Sequence, residues 1–196
     1  MDMIINIIGK SGTGKTSICK LIEETGANVV KSYTTRSPRT HSEYGHIFVD
    51  TQYYDVVKSI DDVCVKNKGD HFIIAELVNY EKNEVYFATI EQVKNKGISL
   101  YVVDPEGAKM VKDRVHHCKV VNVLLTCDEE ERVKRMFNRG DSEISVTTRV
   151  QKDREVFKNI QCDYAIDVTH LTLQQSRNEL MTIIRDEILE QLQNIK

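Results

Sequence analysis

The chain has 196 residues, 40% of them hydrophobic and 29% charged. That is ordinary globular usage for about one domain, and it excludes disorder, collagen and coiled coil as readings of the whole. Lysine and arginine number 27 against 30 acidic residues, a formal charge of −3, so no global charge draws the chain to nucleic acid or an anionic membrane and any anion site must be local.

The opening Met1-Asp2-Met3-Ile4 carries an acid where a secretory leader wants bases, and the apolar run stops at Lys10. Ile4–Ile8 is continuously apolar, as a strand buried on both faces of a parallel sheet would be. Gly9-Lys10-Ser11-Gly12-Thr13-Gly14-Lys15-Thr16 follows and fits the phosphate-loop pattern G-x-x-x-x-G-K-[ST]. Its glycines let the backbone wrap tightly with N–H groups pointing inward, and the next helix adds its positive end. Lys15 is then placed for the β- and γ-phosphates of a nucleoside triphosphate, and the Thr16 hydroxyl for Mg²⁺. A helix over Lys15–Glu24 puts Ile18, Leu21 and Ile22 on one face, with Gly26 as its C-cap.

Asn28–Val30 is the second strand. Ser32-Tyr33-Thr34-Thr35-Arg36-Ser37-Pro38-Arg39 comes next, and two guanidinium forks three residues apart can grip one phosphate monoester from two sides. Lys31–Ala88 is long, polar and rich in Tyr and Thr, with strand-like pieces at His46–Val49 and His71–Ile74; it reads as an inserted subdomain. Ser99–Val103 is a further strand, ending at Asp104. That carboxylate suits a metal or substrate contact, or it caps a helix beginning at Pro105. Lys119–Leu125 and Asp163–Ile166 complete the strands. Between them, Asp128–Gln151 is strongly charged and reads as a helical lid. A final helix over about Thr172–Asn194 carries Met181, Ile184, Ile188, Leu192 and Ile195 as one core-facing stripe.

No apolar run of about 18 residues exists to span a membrane. The five cysteines are odd in number and lack CxxC spacing, so they read as free thiols of a reducing cytoplasm. His116-His117-Cys118 are adjacent on a turn and do not read as a zinc site.

The residues Ser32 to Arg39 match the acceptor-phosphate motif S-x-T-T-R-x-P-R at every specified position, and with the phosphate loop they make the chain resemble the guanylate kinase family. The likeness extends to Asp104-Pro105-Glu106-Gly107-Ala108, to Arg135, Arg139 and Arg149 around Gly140-Asp141-Ser142-Glu143, and to Asp163–Ile166 before an adenine-contacting turn. It implies that Arg36 and Arg39 hold the acceptor phosphate. It implies that Glu76, Thr89, Ser32 and Asp104 contact the base, and that the lid arginines close over the triphosphate. Glu76 makes chemical sense, because guanine offers adjacent N1 and N2 donors and adenine does not. Two family tyrosines have no direct counterpart: one falls on His46, a phosphate donor or a structural histidine, and the other on Phe87, leaving Tyr44, Tyr80 or Tyr86 to supply a hydroxyl. The stretch Glu76–Thr89 is also two residues longer than the family's.

The resemblance implies an α/β fold: a P-loop NTPase-type parallel sheet with flanking helices, an inserted NMP-binding subdomain (32–88) and a helical lid (128–151), in one domain with its core in 1–31, 89–127 and 152–196. The activity it implies is transfer of the γ-phosphate of ATP, with Mg²⁺, to GMP or dGMP. Lys15, Arg39, Arg139 and Arg149 would be catalytic, Arg135 would face adenine or phosphate, and small-molecule nucleotides would be the partners, with neither nucleic acid nor membrane. Other readings stay open: a kinase for another nucleoside monophosphate, a catalytically silent binding module, and an ATPase acting on a macromolecule.

Overall fold

A computed structural model describes residues 2–38, 41 and 43–193. Five strands form one parallel sheet flanked by helices: β1 (Met3–Gly9), β2 (Asn28–Val30), β7 (Ile98–Val102), β8 (Lys119–Thr126) and β9 (Tyr164–Asp167), in the order β2-β7-β1-β8-β9. Every residue of β1 is buried, which is why its sequence runs apolar without alternation. The five strand expectations agree with these bounds to within a residue or two. By compactness the chain divides into two units: one takes the chain up to Asn6 and Ala27–Val120, the other Ile7–Gly26 and the chain from Val121 onward.

The first unit holds a second sheet, from β3 (Ser32–Thr34), β4 (His46–Phe48), β5 (Ile73–Asn79) and β6 (Glu84–Thr89), in the order β4-β3-β6-β5. β3 and β4 pair in parallel with Ser32 opposite His46; β5 and β6 are antiparallel with Leu77 opposite Tyr86. Helix α2 (Thr51–Lys66) covers this sheet. It begins where the Asp50 carboxylate accepts the Tyr53 N–H at 2.7 Å, a side-chain N-cap. Asp61, 3% exposed, accepts the N–H groups of Phe72 and Ile73 at 2.8 and 3.0 Å and pins the start of β5. A core cluster of Ile4, Ile74, Tyr101 and Val111 joins these strands to α3 (Pro105–Arg114).

The second unit contains the end of β1, α1 (Lys15–Glu23), β8, α4 (Glu129–Asn138), α5 (Glu143–Val156), β9 and α6 (Leu173–Gln193). Two local expectations need correction. Helix α1 is capped by Glu24, not Gly26; Gly26 follows in a left-handed conformation (φ +90) and donates its N–H to the Glu23 carbonyl. Its buried residues are Ile18, Cys19 and Ile22. On α6 the buried positions are Ser176, Leu180, Ile184 and Glu187, with the Glu187 carboxylate accepting the Tyr164 hydroxyl at 2.8 Å. Leu192, expected on the core stripe, is 52% exposed, and Ile195 lies outside the described residues. The buried face therefore carries an acid, which apolar periodicity could not select. Among the described residues, no helix is long and apolar enough to cross a membrane.

Candidate functional site

The phosphate loop follows β1 in the second unit. Gly12 and Gly14 both take positive φ, +84 and +86. At Gly12 a Cβ would stand 2.6 Å from the Arg132 carbonyl oxygen, so any side chain there is excluded. Gly14 is the N-cap of α1 and supplies no side-chain cap, and a Cβ there would meet open space. The first N–H groups of α1 are thus left for an anion at the positive end of the helix. Thr16, the second residue of that helix, is exposed. These features fit a triphosphate with a magnesium ion on the Thr16 hydroxyl.

Lys15 Nζ donates to the Gly9 and Lys10 carbonyls at 2.5 and 3.0 Å, while Thr13 Oγ1 donates to the Lys10 carbonyl at 2.9 Å. Desolvation lowers the Lys15 ammonium to about 8; Asp153 pulls it up and Arg132 pushes it down. Ser11 is held at both ends of its backbone: its N–H donates to Asp153 Oδ2 at 2.8 Å, and its carbonyl accepts from Arg132 Nη1 at 2.9 Å. Nothing in the local sequence marks either residue for this role. The available signal was a charge on a buried helical position, which helical spacing alone does not distinguish from a solvated one.

The lid arginines of the sequence reading lie on α4, α5 and the turn between them. Arg135 pairs with Glu131 at 2.9 Å and donates to the Val168 and Thr169 carbonyls after β9. Arg139 is paired with Asp141 and is half-exposed. Arg149 Nε donates to Ser145 Oγ at 3.2 Å.

The first unit contains a cavity of about 150 Å³ whose walls include Ser32, His46, Glu76, Tyr86, Tyr101 and Asp104. Four expected acceptor contacts, Ser32, His46, Glu76 and Asp104, meet here. Ser32 Oγ lies 3.2 Å from the Tyr101 hydroxyl, whose pKa burial pushes up to about 12. Glu76 accepts from Tyr54 Oη at 2.6 Å and Lys58 Nζ at 3.2 Å. Asp104 does cap α3, accepting the Gly107 N–H at 2.7 Å, and lines the cavity as well. Thr89 is not brought to this wall among the described residues; it is buried at the end of β6, its N–H on Gln92 Oε1.

Arg36, buried and just after β3, donates Nε to the Tyr86 hydroxyl at 2.9 Å and both Nη atoms to Glu43. Tyr86 is therefore the hydroxyl beside this arginine. Its neighbour Phe87 points to the opposite side of the strand, fully buried among Tyr33, Tyr53 and Tyr54, where no hydroxyl is needed. Tyr80 is 88% exposed, and Lys31 sits over the Tyr44 ring. Arg39 lies outside the described residues.

A strand, glycine-rich loop and helix in a parallel α/β sheet define a P-loop protein of the NTPase type. The AAA domain family (AAA_18) matches residues 5–164, and the chain belongs to that family. The guanylate kinase of Fusobacterium nucleatum subsp. nucleatum is 26% identical over 193 residues, 93% of this chain and 95% of that one. The crystal structure of guanylate kinase from Anaplasma phagocytophilum superposes with a TM-score of 0.60 at 15% identity, covering 95% of this chain and 86% of that chain. An uncharacterized protein from Eubacterium ventriosum gives 0.50 at 11% identity, over 95% and 99%. These two structures are alike in fold. The resemblance to the guanylate kinase family spans most of the chain.

Proposed function

We propose that the protein is a nucleoside monophosphate kinase, transferring the γ-phosphate of ATP to GMP or dGMP. The observation that carries the reading is the phosphate loop, Gly9–Thr16, opening α1 without a side-chain cap. The likeness to a guanylate kinase over 93% of the chain supports a nucleotide kinase, and the cavity with Glu76, Ser32 and Asp104 in its wall supports a base pocket.

In this mechanism an oxygen of the acceptor phosphate attacks the γ-phosphorus in line. The bond from that phosphorus to the bridging oxygen breaks, and ADP leaves. The acceptor is already an anion near neutral pH, so no strong general base is required; positioning and charge stabilisation carry the rate. Arg36 and Arg39 hold the acceptor phosphate, with the Tyr86 hydroxyl as an added donor and His46 as a further one when protonated. Gly9, Ser11, Gly12, Thr13 and Gly14 form the cradle. Lys15, Arg139 and Arg149 neutralise the migrating group, and Arg135, already on the Val168 and Thr169 carbonyls, braces the turn that meets adenine. Thr16 would hold magnesium, which when bound supplies charge neutralisation across the phosphates. Glu76 reads guanine through N1 and N2.

A second reading, a kinase for a different monophosphate, is favoured by one observation: both Glu76 oxygens are already engaged, by Tyr54 and Lys58. Incubation with ATP and GMP followed by chromatography tests the proposal. GDP and ADP in equal amounts are expected; ATP consumed with no GDP formed would refute it.

A further inference from the structure

Arg132 and Asp153 form a buried ion pair that the mechanism above does not use. Arg132 on α4 is 1% exposed and Asp153 on α5 is 9% exposed, with Nη1 and Oδ2 3.1 Å apart. The same two atoms clasp Ser11: Oδ2 accepts its N–H and Nη1 donates to its carbonyl. Asp153 Oδ1 also lies 3.5 Å from Ser11 Oγ. The backbone of Arg132 is equally close, since its carbonyl oxygen fills the space a Cβ at Gly12 would need. Arg132 Nε is buried and, among the described residues, has no hydrogen-bond partner. A pair this desolvated is a poor source of stability, because apolar residues of like volume usually serve as well. What apolar residues could not do is hold both backbone groups of one residue, the Ser11 N–H and the Ser11 C=O, and so fix the two peptide units that flank it.

We propose that Arg132 and Asp153 are positioning residues for the triphosphate site. Locking the peptide units on both sides of Ser11 sets the path of Gly12, Thr13 and Gly14, and with it the direction of the N–H groups that meet phosphate. The pair also ties α4 and α5 to the loop. This rests on the kinase reading for its substrate, and it concerns ATP alone, whichever monophosphate is the acceptor.

The test is the Kd for MgATP, measured by calorimetry on the full chain, together with the KM values of both substrates. Removing one partner strands a buried charge and destabilises the chain whatever the role, so the informative variant is the double Arg132→Met/Asp153→Ala, which removes both charges at once. It is expected to melt above either single variant, since no buried charge is stranded, while Kd and KM for MgATP rise tenfold or more and the acceptor KM stays unchanged. Arg132→Lys keeps the charge but loses the fork, and is expected to raise the MgATP Kd by a smaller factor. Wild-type affinity for MgATP in both variants would overturn the proposal and leave the kinase reading standing. A wild-type chain that bound no MgATP would overturn both.

Discussion

Arg36 lies bidentate on Glu43, its Nη1 and Nη2 donating to the two carboxylate oxygens at 3.1 and 2.7 Å. With Nε on Tyr86 and Nη1 also on the Ser37 carbonyl, four of the five guanidinium N–H bonds are engaged or shared. A monophosphate bound here must displace Glu43 from the fork. Arg36→Ala is therefore expected to raise the acceptor KM by at least about tenfold with KM for ATP unchanged. Glu43→Gln is expected to lower the acceptor KM and to lower Tm, because Arg36 loses its buried partner. Steady-state kinetics with each substrate varied in turn, and a thermal melt, check both.

Lys15 titrates near 8, lowered chiefly by desolvation. The sign is that of a cation lost as pH rises: below that value Lys15 is charged and attracts the phosphates, above it the attraction fades. The Kd for MgATP is expected to be level from pH 6.5 to 7.5 and to weaken from about pH 8 upward. In Lys15→Gln this alkaline weakening disappears and Kd is uniformly poor. Calorimetric titrations at half-unit intervals in both proteins give the comparison.

Glu76→Gln exchanges one accepting oxygen for a donor. If the carboxylate reads N1 and N2, GMP and dGMP lose kcat/KM by about a hundredfold or more while other monophosphates change little. An equal change in all of them would assign Glu76 to holding Tyr54 and Lys58 instead.

Much of this architecture was legible in the sequence. β1 is buried throughout and β7 and β8 at their centres, and these strands read as apolar runs; the phosphate loop announces itself by glycine spacing. Helix α2 carries no clear helical signature in the sequence. Its run of Val56, Val57, Val63 and Val65 has β-branched side chains that lower helix propensity, and its exposed Val56 and Ile60 blur the amphipathic stripe. Position along β6 is not decided by alignment either: Phe87 falls on a family tyrosine, yet the hydroxyl beside Arg36 is that of Tyr86, one residue away and on the other face. The Arg132–Asp153 clasp joins residues 21 apart to a loop more than 120 residues earlier, a closure that no local pattern encodes.

Asp61 makes a stability prediction independent of catalysis. Its carboxylate is the acceptor for two successive backbone N–H groups. Asp61→Ala is expected to cost about 2–4 kcal/mol, one desolvated donor at Phe72 and another at Ile73. Urea denaturation measures it, and KM values measured without denaturant should be near wild type.

On the proposed reading, a triphosphate held by the loop phosphorylates a guanine nucleotide. The most direct measurement is the rate of ADP release with ATP and, in turn, GMP, dGMP, AMP, CMP, UMP and dTMP. GMP and dGMP are expected to accelerate release at least about tenfold over every other acceptor. Release no faster with any monophosphate than with ATP alone would contradict it.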